Sequence, residues 1–335
     1  MKRISIKDVA KEAGVSIASV SYVLNDRAEG RIGEDTIKRV QKAVADLNYR
    51  PNKIAKSLKT QRTFTLGLIV ADISNPYFSE LARIIEDEAR KIDCTLIIGS
   101  CDEDKVKFES LIDTFRERQV DGLIMAPVEN SGAYLKRLQK SKIPFVLIDR
   151  NMPGVDAPSV EINNYEVSYT ATEHLLEQGR RNICFVNYTS KLESLIERER
   201  GFKASIEENK EADSKILGID KDHIDRDIKL GIESILTAES KVDALFFSSN
   251  RLAISGLKQL RTLKIPVPEK FAVLAFDETE AYELFSVPIS IIRQPLKEIG
   301  KLAIATVDNQ IRNIETLKEA TVLKAELIIK ESSMG

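Results

Sequence analysis

From Phe64 onward, the chain alternates short apolar runs with longer amphipathic stretches. The apolar runs have the length of strands, and the stretches between them repeat their apolar residues with helical spacing. This alternation predicts a parallel, doubly wound α/β sheet. The first series has predicted strands at 65–71, 95–100, 122–126 and 144–148, with helices at 77–91, 105–118 and 133–140.

A second series of the same kind follows, and it is long enough to form a sheet of its own. Two such lobes predict a ligand cleft between them, facing the carboxyl ends of the strands. The second series has predicted strands at 183–187, 244–248 and 271–275, with helices at 166–178, 194–209 and 252–263.

The charge of the chain is divided unevenly between a short head and a long body. Residues 1–62 hold 14 Lys and Arg against 7 Asp and Glu, a net charge of +7. The remainder holds 36 Lys and Arg against 45 Asp and Glu, a net charge of −9. The total charge of −2 therefore conceals the division. A basic head favours a polyanionic partner. A chance surplus of solvated lysines is the alternative.

The basic head has the pattern of a helix-turn-helix. Apolar residues of the first helix recur at i, i+3, i+4 and i+7 from Ile6. Ser5 is placed to cap this helix, with Asp8 completing a capping box, and Gly14 to end it. Ser16 is placed to cap a second helix, and a third is predicted over 34–48. A plain three-helix bundle is the alternative.

The second helix of such a unit enters the DNA major groove. If Val20, Val23 and Leu24 face inward, the residues left to face DNA are Ile17, Ala18, Ser19, Ser21 and Tyr22. Small side chains there allow close approach, and Ile17 can contact a thymine methyl group. Cations that can neutralise phosphates are Lys2, Arg3, Lys7, Lys38, Arg39 and Lys42.

A short basic segment follows the head, over residues 50–62. Pro51 suits the first turn of a helix that carries Lys53, Lys56 and Lys59 around Leu58. A helix of about two turns is marginal alone, so this segment fits one that orders on DNA and inserts its leucine from the minor groove. An ordinary interdomain linker is the alternative.

Polar residues end several predicted strands of the body. Amides, carboxylates and an Arg fork that converge on a cleft suit a polyhydroxylated ligand. Each of these residues also precedes a helix, so helix capping is the alternative, and the two roles are compatible. The residues are Asp72 and Asn75, Asp149 and Arg150, Ser249 and Asn250, and Asp277.

Signals for other classes of protein are weak. Neither a phosphate-binding P-loop nor a dinucleotide glycine turn occurs, and no Cys/His pattern indicates a metal. The two histidines are poorly placed for acid–base catalysis, and His174 is expected on a helix surface. We therefore expect no catalytic residues, no metal and no cofactor. No run could span a bilayer and no secretory signal opens the chain, so we expect a cytoplasmic, nucleoid-associated protein.

The head resembles the lactose/galactose repressor (LacI/GalR) family. The resemblance rests on residues 5–16, 19–25, 49–52 and 55–58. It implies a homodimer that reads a pseudo-palindromic operator, with positions 17, 18 and 22 on bases and Leu58 inserted at the operator centre. Tyr22 stands where Arg is common in the family. The DNA-binding residues implied are Ser5, Ile6, Lys7, Ser16, Ile17, Ala18, Ser19, Ser21, Tyr22, Asn25, Asn52, Ala55, Leu58 and Lys59.

The body also looks like this family, at residues 72–78, 146–150, 198–202, 275–277, 291–295 and 327–332. The likeness implies a two-lobed effector domain of the periplasmic-binding-protein type, with Phe78 stacking on a sugar ring. Arg251 stands where the family usually has Asp, and Asn163 also replaces an Asp. The effector-binding residues implied are Asp72, Asn75, Phe78, Asp149, Arg198, Asn250, Asp277 and Gln294.

These features together predict a DNA-binding transcriptional regulator, most simply a repressor, controlled by a sugar-like effector. The predicted domains are a helix-turn-helix head (1–49), a hinge helix and linker (50–62) and an effector domain (63–335). We expect one lobe over about 63–160 and 291–320, and the other over about 161–290 and 321–335. A sugar-binding receptor without a DNA role, or an enzyme of sugar metabolism, would be the alternative; the basic head argues against the receptor.

Overall fold

The computed structural model of the chain describes residues 4–24, 28–49, 62–237, 239–314 and 320–334. The chain divides into two compact units, Met1–Thr63 and Phe64–Gly335. The predicted hinge helix lies outside the described residues. None of the helices in the described ranges is long and apolar enough to cross a membrane.

The described part of the first unit is helical. Its helices are α1 (Ile6–Ala13), α2 (Ile17–Leu24) and α3 (Glu34–Asp46). Each contributes a fully buried valine to one small core, namely Val9, Val20 and Val40. The predicted helical periodicity is therefore confirmed, because the residues at that spacing are the ones that meet in the core.

The second unit contains two sheets, each with six strands among the described residues. The strand order of the first sheet is β11-β5-β4-β3-β1-β2 and that of the second is β12-β10-β9-β8-β6-β7. The strands are β1 Thr65–Val70, β2 Thr95–Ser100, β3 Gly122–Met125, β4 Phe145–Ile148, β5 Ser159–Ile162, β6 Asn182–Tyr188, β7 Asp213–Ile219, β8 Ala244–Phe247, β9 Ala272–Phe276, β10 Ser290–Arg293, β11 Ala320–Leu323 and β12 Glu326–Ile328.

Helices cover both faces of these sheets, which explains why the central strands are apolar along their whole length. Every residue of β3, β4, β8 and β9 is buried. The helices are α4 Pro76–Lys91, α5 Lys105–Glu117, α6 Gly132–Lys140, α7 Asn164–Glu177, α8 Glu193–Glu208, α9 Ile224–Ile235, α10 Asn250–Thr262 and α11 Leu296–Ile311. The predicted head-plus-α/β fold class is confirmed.

One pairing departs from the predicted parallel arrangement. Strand β12 runs antiparallel to β10, with Ile292 opposite Leu327, while the other pairs of both sheets are parallel. Strand β12 follows β11 after only two residues. Strand β12 thus enters the second sheet directly from the first and lies at its edge, beside β10.

The lobe boundaries differ from those expected at residues 291 and 321. Strand β10 belongs to the second sheet, because Ser290 pairs with Leu274, and β11 belongs to the first, because Ala320 pairs with Ser159. The chain therefore passes between lobes after Arg293 and after Leu323. These short strands lack a local signal for the sheet they join, since membership depends on which earlier strand each one pairs with, β9 for β10 and β5 for β11.

The segments that cross between the lobes are bonded to one another. Asn163 lies at the first crossing, between β5 and α7. Its backbone N–H donates to the Leu323 carbonyl at 3.0 Å, and its Oδ1 accepts from Ala325 N at 2.8 Å. An Asn at the position where the family usually has Asp thus keeps the oxygen that joins two of the crossings.

His174 is buried, which corrects the expectation that it lies on a helix surface. Its Nε2 lies 2.7 Å from Ser333 Oγ, and Ser333 Oγ is 2.6 Å from Ser290 Oγ. These contacts fix the C-terminal segment against α7 and β10. The prediction was wrong because His174 lies on the face of α7 that this distant segment covers, and local periodicity carries no such information.

Burial of His174 predicts a pH-dependent stability. Burial lowers the pKa of its imidazole, so the folded state favours the neutral ring. The contribution is complete above the unfolded pKa of about 6.5 and is lost as the pH falls below it, by at most about 1.4 kcal/mol per pH unit. The measurement is the melting temperature between pH 7.5 and 5.5.

His174→Gln keeps a hydrogen-bonding group opposite Ser333 and should flatten this pH dependence. His223→Gln is the matched control, because the side chain of His223 is half exposed and lies 3.3 Å from Asp220. The same acid slope in the His174→Gln variant as in the wild type would contradict the assignment.

Candidate functional site

The turn between α1 and α2 is built as the sequence predicts. Asp8 Oδ2 accepts from the backbone N–H of Ser5 at 2.8 Å, which completes the capping box at the start of α1. Gly14 ends the helix in the left-handed conformation, with φ of 62°. Ser16 Oγ accepts from Ser19 N at 3.1 Å and so caps α2. These local bonds fix the path of the chain into α2.

The outer face of α2 presents the residues expected to read bases. Ile17 is 45% exposed and Tyr22 is 37% exposed, and Ala18 is exposed between them. Ser19 and Ser21 are half-buried, and the Ser19 hydroxyl lies 2.9 Å from that of Ser16. The exposed side chain of Ile17 is available for contact with a thymine methyl group, which would bury its apolar surface.

Two further features of the head concern single residues. Ile6 is half-buried and packs against the head core, whereas Lys7 is exposed. Arg31, which the sequence did not single out, lies with its guanidinium 5.5 Å from the centroid of the Tyr22 ring. The predicted DNA contacts Asn25, Asn52, Ala55, Leu58 and Lys59 lie outside the described residues.

In the effector domain, the carboxyl ends of the strands bring most of the predicted residues together. Asp149 follows β4, Asn250 follows β8 and Asp277 follows β9, with Gln294 just beyond β10. Asn75 begins α4 after β1, and Arg198 extends from α8. Parallel strands place their carboxyl ends on the same edge of a sheet, which is why residues so far apart in sequence converge.

Arg198 is buried and fully oriented by its neighbours. Its Nε donates to Asn164 Oδ1 at 2.7 Å and one terminal nitrogen donates to the Ser248 carbonyl at 2.7 Å. The guanidinium carbon lies 4.0 Å from the centroid of the Phe276 ring. A buried cation held this way is positioned for a ligand oxygen without further ordering.

Asp277 is the buried acceptor opposite this cation. Gln294 Nε2 donates to its Oδ1 at 2.6 Å. Burial raises the pKa of the Asp277 carboxyl, while the positive charge of Arg198 and the bond from Gln294 oppose that rise. Its φ of 69° is left-handed, a conformation that Asp tolerates better than most residues and that turns the chain sharply after β9.

Asp149 occupies the equivalent place in the first lobe, also with a left-handed φ, of 66°. Arg150 Nε donates to Asp149 at 3.1 Å, and its terminal nitrogens donate to both Glu103 oxygens at 2.9 and 2.7 Å. The guanidinium carbon of Arg150 lies 5.9 Å from the centroid of the buried Phe78 ring. Arg150 is therefore used to hold the Asp149 loop.

Tyr77 belongs to this site although the sequence did not identify it. Its ring packs edge-on against Phe78, with centroids 4.9 Å apart. Burial raises the pKa of the Tyr77 hydroxyl well above its ordinary value, and the charges of Asp149 and Asp277 add to the effect. A tyrosine that follows Asn-Pro at the start of a helix has the pattern of an ordinary core residue. Local sequence therefore did not indicate that Tyr77 lies at the effector site.

Asn75 and Asp72 use their oxygens on protein groups. Asn75 Oδ1 accepts from Tyr77 N at 3.0 Å and from Asn250 Nδ2 at 2.8 Å. Asp72 Oδ1 accepts from the N–H and hydroxyl of Ser74 at 2.9 and 2.7 Å, and Oδ2 pairs with Arg251. The capping alternative is thus confirmed for Asn75.

Four buried polar atoms at this edge lack a hydrogen-bond partner within the described part of the chain. They are Tyr77 Oη, Ser248 Oγ, Asn250 Oδ1 and Gln294 Oε1. Such atoms cost free energy unless a ligand or solvent bonds them. A cavity of about 320 Å³ reaches this region, with Tyr77, Asp277 and Gln294 in its lining. The described residues contain no Cys, His, Asp and Glu grouping that could hold a metal ion.

Comparison with known proteins identifies both parts of the chain. Residues 5–52 match the family described as bacterial regulatory proteins, lacI family, and residues 172–333 match the periplasmic binding protein-like domain. The crystal structure of the lac repressor dimer bound to operator and the anti-inducer ONPF covers 100% of both chains, with a TM-score of 0.86 at 18% identity. That likeness shows the fold.

Sequence relatives of similar length are regulators rather than enzymes. The HTH-type transcriptional regulator RegA of Clostridium saccharobutylicum is 34% identical over 98% of this chain and 99% of its own. The ribose operon repressor of Haemophilus influenzae is 30% identical, over 98% of each chain. The chain therefore belongs to the LacI family of bacterial regulatory proteins and is a sequence-specific DNA-binding transcriptional regulator with an effector domain.

Proposed function

We propose that the chain is a repressor that binds a pseudo-palindromic operator as a homodimer. A small polyhydroxylated effector, most simply a sugar, binds in the cleft and lowers or raises the affinity of the protein for that DNA. The observation that carries the effector class is the set of unpartnered buried atoms at Ser248, Asn250 and Gln294. Together with the Asp149 and Asp277 carboxylates they form a surface rich in acceptors, which requires a ligand that donates hydrogen bonds in several directions.

We assign the effector contacts to Asp149, Arg198, Asn250, Asp277 and Gln294, with Phe78 and Tyr77 forming an aromatic wall. Sugar hydroxyls donate and accept in fixed directions, so they match the mixture of carboxylates, amides and one guanidinium. One relative is named a ribose operon repressor, and this name favours a sugar as the effector. In this proposal the protein works in the cytoplasm on nucleoid DNA and catalyses no reaction.

We assign base reading to the exposed face of α2 and phosphate contact to Lys7 and the other basic residues of the head. The hinge residues Asn52, Ala55, Leu58 and Lys59, with Asn25, complete the proposed DNA contacts. Effector binding would change the closure of the two lobes, and this change would alter the mutual packing of the paired hinge helices. DNA and effector then affect each other's affinity reciprocally.

The decisive experiment combines DNA selection with a sugar panel. The full-length chain should enrich one pseudo-palindromic sequence from a random pool. At least one sugar, beginning with D-ribose, should change its affinity for that DNA by about fivefold or more. Enrichment of no sequence would overturn the operator assignment. Enrichment without a response to any sugar, sugar phosphate or nucleoside would overturn the effector assignment alone.

A pair of substitutions separates base reading from phosphate contact. Ile17→Ala should weaken binding to the selected DNA about fivefold and relax the preference at one base pair, with non-specific binding unchanged. Lys7→Gln is the control, because it should weaken specific and non-specific binding alike and reduce the salt slope by about 0.9. Equal effects of the two substitutions on specificity would contradict the assigned roles.

A further inference from the structure

The two lobes contact each other directly across the mouth of the cleft. Asn250 Nδ2 donates to Asn75 Oδ1 at 2.8 Å, and Lys221 Nζ lies 3.3 Å from the Glu103 carbonyl. The backbone N–H of Lys191 donates to Glu129 at 2.8 Å. Each bond joins a strand end of one lobe to a strand end of the other, so the structure holds the cleft in a closed arrangement.

One contact at this mouth is an ion pair. A terminal nitrogen of Arg251, the second residue of α10, donates to Asp72 Oδ2 in the loop after β1. We propose that this pair is a latch between the lobes, and that Asp72 acts in closure instead of contacting the effector. The proposal goes beyond the assigned effector contacts, because both carboxylate oxygens of Asp72 are bonded to protein groups, Oδ1 to Ser74 and Oδ2 to Arg251.

The Asp72 carboxylate is held in place by its own lobe. Its Oδ1 accepts both bonds from Ser74, and this local turn holds the carboxylate in place before any other group approaches. Its side chain is 17% exposed, whereas that of Arg251 is 46% exposed. A carboxylate fixed at the rim of one lobe thus meets a more exposed cation on the other, which is the arrangement expected for a contact that forms on closure.

Arg251 carries its positive charge in the first turn of α10. A cation in the first turn of a helix lies at the positive end of the helix dipole, which is unfavourable by a few tenths of a kcal/mol. A cavity of about 680 Å³ beside it is lined by the cations Lys221, Arg226 and Lys258 and by the carboxylates Asp222 and Asp225. Arg226 is itself paired with Asp227. Among the ion pairs of the described residues, the partner of Arg251 is Asp72, which it reaches when the lobes close.

The sign of the charge at position 251 decides whether the lobes attract each other at this contact. The family that this chain resembles usually has Asp at this position, and an Asp there would face the Asp72 carboxylate with the same charge. Arg therefore reverses the sign of the interaction between the lobes. Because the pair is partly exposed, we expect it to favour the closed form by about two- to fivefold, and salt should weaken it.

The test measures the distance between the lobes in the full-length chain without DNA or sugar. Cysteines introduced at Val106 on α5 and Lys229 on α9, both exposed, would carry spin labels for pulsed electron resonance. The natural cysteines Cys94, Cys101 and Cys184 are buried and should not react. Excess unlabelled chain restricts the measured distances to those within one molecule.

We compare the parent with Asp72→Asn, Arg251→Ala and the double variant. Asp72→Asn keeps the acceptor for Ser74 and removes the charge. Each single variant should lower the ratio of closed to open molecules about two- to fivefold, and the double variant should lower it no further. Salt should open the parent and have less effect on the variants. Asp102→Asn is the control for an ion pair within one lobe: Lys107, its partner, is 47% exposed, close to the 46% of Arg251, although the Asp102 carboxylate is more exposed than that of Asp72.

The outcomes decide the proposal either way. Closed fractions unchanged in both single variants would overturn it, as would single effects that multiply in the double variant, because independent effects are not those of a pair. A shift of the same size in Asp102→Asn would also overturn it. Since neither DNA nor sugar is present, failure of the latch would leave the proposed function untouched.

Discussion

Replacing Arg198 with Met is expected to abolish sugar binding and to lower the free energy of unfolding of the effector domain by about 3 kcal/mol. Methionine retains most of the apolar volume against Phe276 but removes the bonds to Asn164 Oδ1 and the Ser248 carbonyl. It also leaves the buried Asp277 carboxylate without the cation that opposes its desolvation. The loss should therefore appear both in denaturant unfolding and in sugar titration.

The control for this substitution is Arg200→Met on the same helix. Arg200 is 63% exposed and pairs with Glu197 on the surface, so its loss should change stability by less than about 1 kcal/mol and leave sugar affinity intact. A second comparison, Arg198→Met combined with Asp277→Asn, should recover part of the stability because no charge is then left buried. Normal sugar affinity in Arg198→Met would show that the guanidinium is not part of the effector site.

Replacing Gly201 with Ala is expected to destabilise the effector domain by about 2 to 3 kcal/mol. A Cβ at Gly201 would lie 2.1 Å from the backbone oxygen of Tyr165 and 3.1 Å from the backbone nitrogen of Tyr169. Helices α7 and α8 would have to separate, because backbone atoms cannot rotate away. The gain in helix propensity of about 1 kcal/mol is smaller than this cost.

Gly231→Ala is the matched control, since Gly231 also lies within a helix. The new Cβ there meets side-chain atoms of Leu217, the nearest at 2.2 Å, and a half-buried leucine can change rotamer. The propensity gain then offsets the clash, and we expect a change of less than about 1 kcal/mol. Denaturant midpoints of the two variants measure the difference. Equal destabilisation would mean that α7 and α8 can move apart at little cost.

Gly201 also affects the cleft, because Arg198 lies one turn before it on α8. Ser168 on α7 donates its hydroxyl to the Arg198 carbonyl at 2.6 Å, so the spacing of the two helices sets the position of that residue. We therefore expect Gly201→Ala to weaken sugar binding as well as folding. Gly201 lies in residues 198–202, a segment that resembles the family. The need for glycine at this position comes from the close approach of α7 and α8.

Much of the effector site follows from local sequence. Asp149, Asn250 and Asp277 each end a run of apolar residues, and parallel strands carry such residues to one edge. The same reasoning could not find Tyr77 or Asn164. Tyr77 lies inside a helix stripe that reads as core, and Asn164 acts only by orienting Arg198 from another helix.

In the head, too, some residue roles follow from local sequence and others depend on tertiary packing. Ser5, Asp8, Gly14 and Ser16 act on backbone groups a few residues away, so their roles could be predicted from spacing alone. Spacing alone did not show that Ile6, which lies in the segment resembling the family, is half-buried against the head core. Which side of a short helix is covered depends on where the other helices lie, and eight residues carry little of that information.

The sequence by itself determined the helix-turn-helix head, the two-lobed α/β body and the polar residues at its strand ends, because capping and hydrophobic periodicity act over a few residues. Only the tertiary structure decided which sheet β10 and β11 each join, that His174 is buried under the C-terminal segment, and that Asp72 pairs with Arg251 of the other lobe. Most of these features depend on contacts between segments more than 100 residues apart, such as β5 with β11, His174 with Ser333 and Asp72 with Arg251. Such contacts arise from the packing of whole lobes, which no local pattern encodes.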